Sequence, residues 1–142
     1  MHLLNTLLKA LPEYQTLKER SEQNTPCAIT GLSAIHRAHM TATLHQDTGR
    51  QVLVVCQDDL ATARMAEEFS GFLGEKPPVL PTRELCLLGG TVSRGWEQQR
   101  LSMLYQLTQG GYPVLLASAE ALSLRTMPPS VLGANTISLV VG

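Results

Sequence analysis

The chain is poor in what nucleic-acid grips and covalent catalysts usually need. Aromatic residues make up only 4% of its 142 positions, with one Trp, three Tyr and two Phe, so a base-stacking platform is not expected. Positive charge is not in excess either. The formal net charge is −1, which leaves no whole-domain field to hold a polyanion, although a local basic patch is compatible with it. Lysine occurs only at Lys9, Lys18 and Lys76. Cysteine is sparse and odd in number (Cys27, Cys56, Cys86), with no C-x-x-C pair, which predicts buried thiols in a reducing compartment rather than a disulfide framework. No apolar run approaches the ~20 residues that cross a membrane, and the N-terminus has no basic leader or small-residue cleavage site. A cytoplasmic protein without membrane contact is expected.

The chain does have apolar content sufficient for one core, at 44% of residues. Leu3, Leu4, Leu7, Leu8 and Leu11 recur at helical spacing, and Pro12 suits the first turn of a second helix running to about Gln23. Cys27 to Thr30 reads as a short buried strand, and Ser33 to about Gln46 as a helix. Gln51 to Gln57 (QVLVVCQ) is the clearest strand, its continuous apolar run predicting burial on both faces. Asp58 is placed to cap a helix whose apolar stripe would be Leu60, Ala63, Ala66, Phe69 and Leu73, with Gly74 as its stop. The PPVLPT stretch gives a short strand and RELCLLGGTVS a loop. Ser93 can cap a helix from Arg94 to Gln109 with Trp96, Leu101, Leu104 and Leu107 inward. Pro113 to Ser118 is a further buried strand, Ala119 to Arg125 a helical turn, and Ile137 to Val141 a last strand after a break at MPPS. Strands alternating with helices predict an α/β fold in three layers, a mostly parallel sheet with helices on both faces. An apolar strand at the C-terminus with no partner suggests a fragment of a longer protein.

The corner after Cys27–Thr30 is where a nucleotide-binding protein keeps its phosphate loop. That loop needs glycines that let backbone amides curl round phosphates, a lysine on the terminal phosphate and a hydroxyl on magnesium. Started at Gly31, the pattern puts His36, Arg37 and Ala38 at the Gly-Lys-Thr positions. Aligned on Thr30-Gly31 as the T-G of a VTGSGKT loop, it puts Ser33, Ala34 and Ile35 there. Neither register supplies the lysine or the metal hydroxyl, so Thr30, Gly31, Leu32, Ser33, Ala34 and Ile35 read as a degenerate loop kept for packing. No catalytic residue, cofactor or metal site is expected. Residual nucleotide binding through Arg37 with Asp58 or Asp59 is the alternative, against which stands the simpler role of those aspartates at a helix start. His36 and His39 lie three apart, with His45 further on, but no third ligand is suitably spaced for zinc. Ser33 and Ser118 have no base beside them in sequence, and no G-x-S-x-G occurs. Arg83, Arg94, Trp96 and Arg100 are the candidate partner surface: an arginine edge, open also to a DNA-binding reading, with an aromatic anchor. Against it stand a solvated face shared with Glu84 and Glu97 and a Trp buried on the sheet.

The ordered series LPEYQTL, AITGLS, GRQVLVV, DDLATARMAEEF, LPTRELCLLGG, SRGWEQQRLSMLYQL and PVLLASAEAL resembles the N-terminal part of the transcription-repair coupling factors, the Mfd family, over about Leu11 to Gly142. The most specific piece is RELCLLGGTVSRGWEQQRLSML; Gly95 departs from the family's acidic residue. That region of the family is similar to the first helicase-like lobe of UvrB without its ATPase motif, and CLLGGTVS has no tyrosine cluster of the kind UvrB uses to probe DNA. The resemblance implies a helical segment at 1–25, a UvrB-like degenerate P-loop lobe at 26–135 and the start of a UvrA-binding domain at 136–142. It implies a non-catalytic scaffold in transcription-coupled nucleotide excision repair. UvrA would be met mainly through the next domain, and the lobe would pack against the parent's motor and restrain it. ATP and magnesium would belong to that downstream motor, and RNA polymerase and DNA to the rest of the parent protein.

Overall fold

Local signals begin the fold. In the computed structural model, which describes residues 2–82 and 94–137, α1 (His2–Lys9) is followed by α2 (Pro12–Glu22), where Pro12 takes the first helical position. The proline lacks only an N–H that a helix start leaves unpaired anyway. Helix α3 (Ala34–Thr48) ends on Gly49 in the left-handed region, and β1 (Val52–Cys56) follows. Asp58 caps α4 (Asp59–Leu73): its Oδ1 accepts from the Ala61 amide at 2.7 Å. Gly74, at φ 82°, ends that helix where a side chain would be strained. Then come β2 (Val79–Leu80), α5 (Arg94–Thr108), β3 (Val114–Ser118), α6 (Ala119–Ser123) and α7 (Pro129–Ala134).

Among the described residues all the strand pairs are parallel, and the order is β1-β3-β2. The middle strand is the last of the three in sequence, and each of its five residues is buried. Alternation along it divides the core. Val114 and Leu116 face α3 and α4, meeting Ala38, Ala42, Ala66 and Phe69, while Leu115 and Ala117 face α5 and α6, meeting Met103 and Ala121. Helices therefore cover both faces of the sheet, as alternating strands and helices predict. Each large apolar side chain so buried is worth about 1.5–3 kcal/mol.

Five expectations need correction. Cys27 to Thr30 is exposed and pairs with no strand among the described residues. Strand β1 is covered on one face only: Leu53 and Val55 keep 48% and 54% of their surface exposed. On α4 the buried set is Thr62, Ala66 and Phe69, with Leu60 62% exposed. Steps of three residues drift round a helix, so Leu60 lies ~120° from Ala66 at ~100° per residue. On α5, Arg100 and Met103 are buried and Leu101 is exposed, and the MPPS stretch starts helix α7 instead of leading straight to a strand. The RELCLLGGTVS loop, the Ser93 cap and the strand after Ile137 fall outside the described residues.

Candidate functional site

The degenerate corner is a helix start and little more. Thr30 is exposed, and Gly31 has φ 79°, with open space where a Cβ would stand. The glycine there answers a backbone angle, not a close approach by another group. Ser33 precedes α3 without capping it; its hydroxyl lies 2.9 Å from His36 Nδ1. Ala34 opens the helix and Ile35 is 49% exposed. Beside this corner lies a cavity of about 620 Å³ whose lining includes Leu32, Arg37 and Cys56. Its walls are mostly apolar, and Arg37 is exposed at its margin.

The other residues singled out in the sequence have structural partners. Asp58 is the α4 cap, and Asp59 Oδ1 accepts from Thr82 Oγ1 at 2.7 Å. His36, His39 and His45 go to different partners: His39 Nε2 meets Asn5 Oδ1 at 2.8 Å, and His45 Nδ1 donates to the Arg50 carbonyl at 2.7 Å. The His39 ring also stacks on Phe72, with centroids 4.8 Å apart. Burial, and then the neighbouring His36, push the His39 imidazole below its ordinary pKa. Among the described residues no three His, Cys, Asp or Glu side chains gather as a metal site. Cys27 and Cys56 are free thiols; Cys27 is exposed, which corrects the expectation of buried thiols, and Cys86 lies outside the described residues. Ser118 caps α6, accepting from the Ala121 amide at 3.1 Å.

Of the residues expected to form an arginine edge, Arg100 points inward. It is 4% exposed and donates to the carbonyls of Pro81 (3.0 Å) and Ala121 (2.8 Å). Its guanidinium sits 6.0 Å from the Trp96 ring centroid, and burial lowers its pKa. Trp96 is half-buried, and its indole N–H donates to the Thr82 carbonyl, so it is tied to the end of β2. Arg83 lies outside the described residues, as does the side chain of Arg94. Sequence reasoning missed the polar knot that results at the carboxyl ends of β2 and β3. Thr82 reaches both Asp59 and Ser118, while Trp96 and Arg100 hold the same strand end from α5. Four separate stretches contribute to it, so no local pattern could have announced it.

Fold and corner together define a small open α/β layer structure with parallel strands, in which the corner leading into α3 carries no lysine. The chain is 31% identical over 121 residues to the transcription-repair-coupling factor of Myxococcus xanthus, a match covering 79% of this chain. Over that stretch the chain is similar to a transcription-repair-coupling factor. It spans about one tenth of the length of that relative. No family model and no solved structure matches it. No helix of the described residues is long and apolar enough to cross a membrane.

Proposed function

We propose that this chain is a non-catalytic scaffold of a transcription-repair coupling factor, a degenerate P-loop lobe similar to the first lobe of UvrB. In this reading it supports recruitment of UvrA, mainly through the domain that follows it, and packs against the downstream motor to restrain it. ATP and magnesium are used by that motor. RNA polymerase and DNA are engaged by other parts of the full protein.

The observation that carries the reading is the corner at Thr30–Ile35. Ala34 and Ile35 stand where a lysine and a metal-holding hydroxyl would be needed, and Ile35 offers solvent an apolar side chain. Two of the three lysines are engaged elsewhere, Lys9 with Asp47 and Lys76 with Glu67. A backbone turn can still meet phosphate oxygens, but without a cation and a metal ligand it has no means to stabilise the charge that develops in phosphoryl transfer.

Isothermal titration with Mg-ATP should give no binding heat, and micromolar binding would overturn the reading in favour of a surviving nucleotide site at Arg37. Pull-down by UvrA should be weak with residues 1–142 and strong when the following domain is attached. Equal capture by the short chain would put the UvrA contact on this lobe.

A further inference from the structure

Helix α3 serves two neighbours with two kinds of surface. Ala38 and Ala42 enter the apolar core against Phe69 and Val114. His39, Thr43, Gln46 and Asp47 recur at steps of three and four residues, which sets them in one row along the helix. That row meets α1 and α2. Asn5 Oδ1 accepts from His39 Nε2 at 2.8 Å, and the Thr43 hydroxyl lies 3.5 Å from the same oxygen. Asn5 Nδ2 donates to Gln46 Oε1 at 3.1 Å. Asp47 holds Lys9 of α1 and the Tyr14 hydroxyl of α2 on one carboxylate. Just past α3, Arg50 donates to the Ser21 carbonyl and to Asn24 Oδ1, where the chain leaves α2 at φ 54°. Apolar packing takes little part in this interface. Neither apolar core includes a residue of α1 or α2 among the described residues. Tyr14 is the buried residue of α2, and none of residues 3–9 is buried.

We propose that residues 2–24 form a strap that lifts off α3 as one unit while the sheet stays folded, with Asp47 as its catch and its root held by Arg50. Contacts of this kind exchange protein partners for water at little net cost, whereas the sheet is held by apolar burial that water cannot replace. Parts joined by a polar interface therefore separate more readily than parts sharing a core. The two helices move together for two reasons. Only Ala10 and Leu11 lie between them, and the joint is tied: Gln15 Nε2 donates to the Lys9 carbonyl at 2.6 Å, and the Tyr14 and Gln15 amides donate to the Leu11 carbonyl. The catch is also shared, so loss of the α1 contacts loosens the Asp47 carboxylate that α2 uses. Lifting bares the polar row of α3 together with Tyr14 and leaves the contacts of β3 in place. The proposal is independent of whether the lobe binds nucleotide or UvrA.

The test is native-state hydrogen exchange on isotopically labelled protein of residues 1–142. Amides of residues 17–20 in α2 should be protected at least roughly a hundredfold less than those of residues 115–117 in β3. Asn5→Ala alters α1 alone, yet it should lower the protection of residues 17–20 at least roughly tenfold and leave β3 unchanged. Asp47→Ala should do the same, and Asp47→Glu, which keeps a carboxylate, should restore part of the loss. Unchanged β3 amides verify that each variant is folded. Three results would overturn the proposal. Protection of α2 equal to that of β3 would make the strap part of the core. A response to Asn5→Ala confined to α1 would mean that the helices fray separately. An equal fall in α2 and β3 would mean that the contacts support the whole fold.

Discussion

Asp47 joins three helices: its carboxylate accepts from the Tyr14 hydroxyl at 2.9 Å and pairs with Lys9, linking α1 and α2 to α3. Burial pushes its pKa up, but the hydrogen bonds from Lys9 and Tyr14 and the charges of Lys9 and Lys18 outweigh that and hold it below the ordinary carboxylate value. Burial, with the same hydrogen bond and charge, raises the Tyr14 phenol. A depressed carboxylate stabilises the fold above its unfolded pKa of ~3.9, and that contribution is lost as pH falls through the lower folded value. Urea titrations should therefore show stability falling with acid below about pH 4, with a smaller acid slope in Asp47→Asn. His39 behaves in the same sense for a different reason. Its folded pKa lies below the unfolded value of ~6.5, so stability is full above that pH and declines as pH drops towards the folded value. His39→Gln should flatten the profile just below pH 6.5. At this scale Pro12, Asp58 and Gly74 were legible in the sequence because a cap or stop is decided within a few residues. The partners of Asp47 and His39 were not, since Tyr14 and Asn5 lie more than thirty positions away.

Helix α1 presents its leucines to solvent, with Leu3, Leu4 and Leu7 each more than half exposed, and meets the domain through Asn5 and Lys9. Leu7→Glu is thus expected to move unfolding stability by no more than ~0.5 kcal/mol, a change measured by denaturant titration. Arg100 on α5 gives the opposite expectation. Arg100→Ala leaves two carbonyls unpaired and should cost about 2–3 kcal/mol, and Arg100→Lys should restore less than half, because an ammonium cannot fork between two acceptors as a guanidinium does. Helices α2, α3, α4 and α5 and strands β1 and β3 were readable from periodicity and punctuation. The inward face of each helix was read less well. On α5 the buried residues are an arginine and a methionine, and hydrophobic patterning cannot foresee a charged side chain turned inward to serve backbone carbonyls. The non-strand at Cys27–Thr30 was illegible for the reverse reason: its composition suits a strand, and whether it pairs depends on a neighbour that composition does not encode.

Across the whole molecule the charges nearly balance, so tight, salt-dependent capture of duplex DNA by this chain is not expected; a nanomolar affinity that falls steeply with added salt would contradict that. The parallel α/β plan was legible because it follows from the alternation of elements, whereas the strand order β1-β3-β2 was not stated by any local signal. Order has a consequence for stability. A chain shortened to residues 1–111 retains β1 and β2, which touch only through the missing strand, and should show no cooperative thermal transition, in contrast to residues 1–142. The same order governs synthesis. A ribosome delivers VLVVC well before it delivers VLLAS, and at the usual ~5–20 residues per second the interval is roughly 3–12 s. Through that interval the nascent strand has nothing to join, so a chaperone that masks sticky segments would find its target in the first strand made, and its departure would wait on the third.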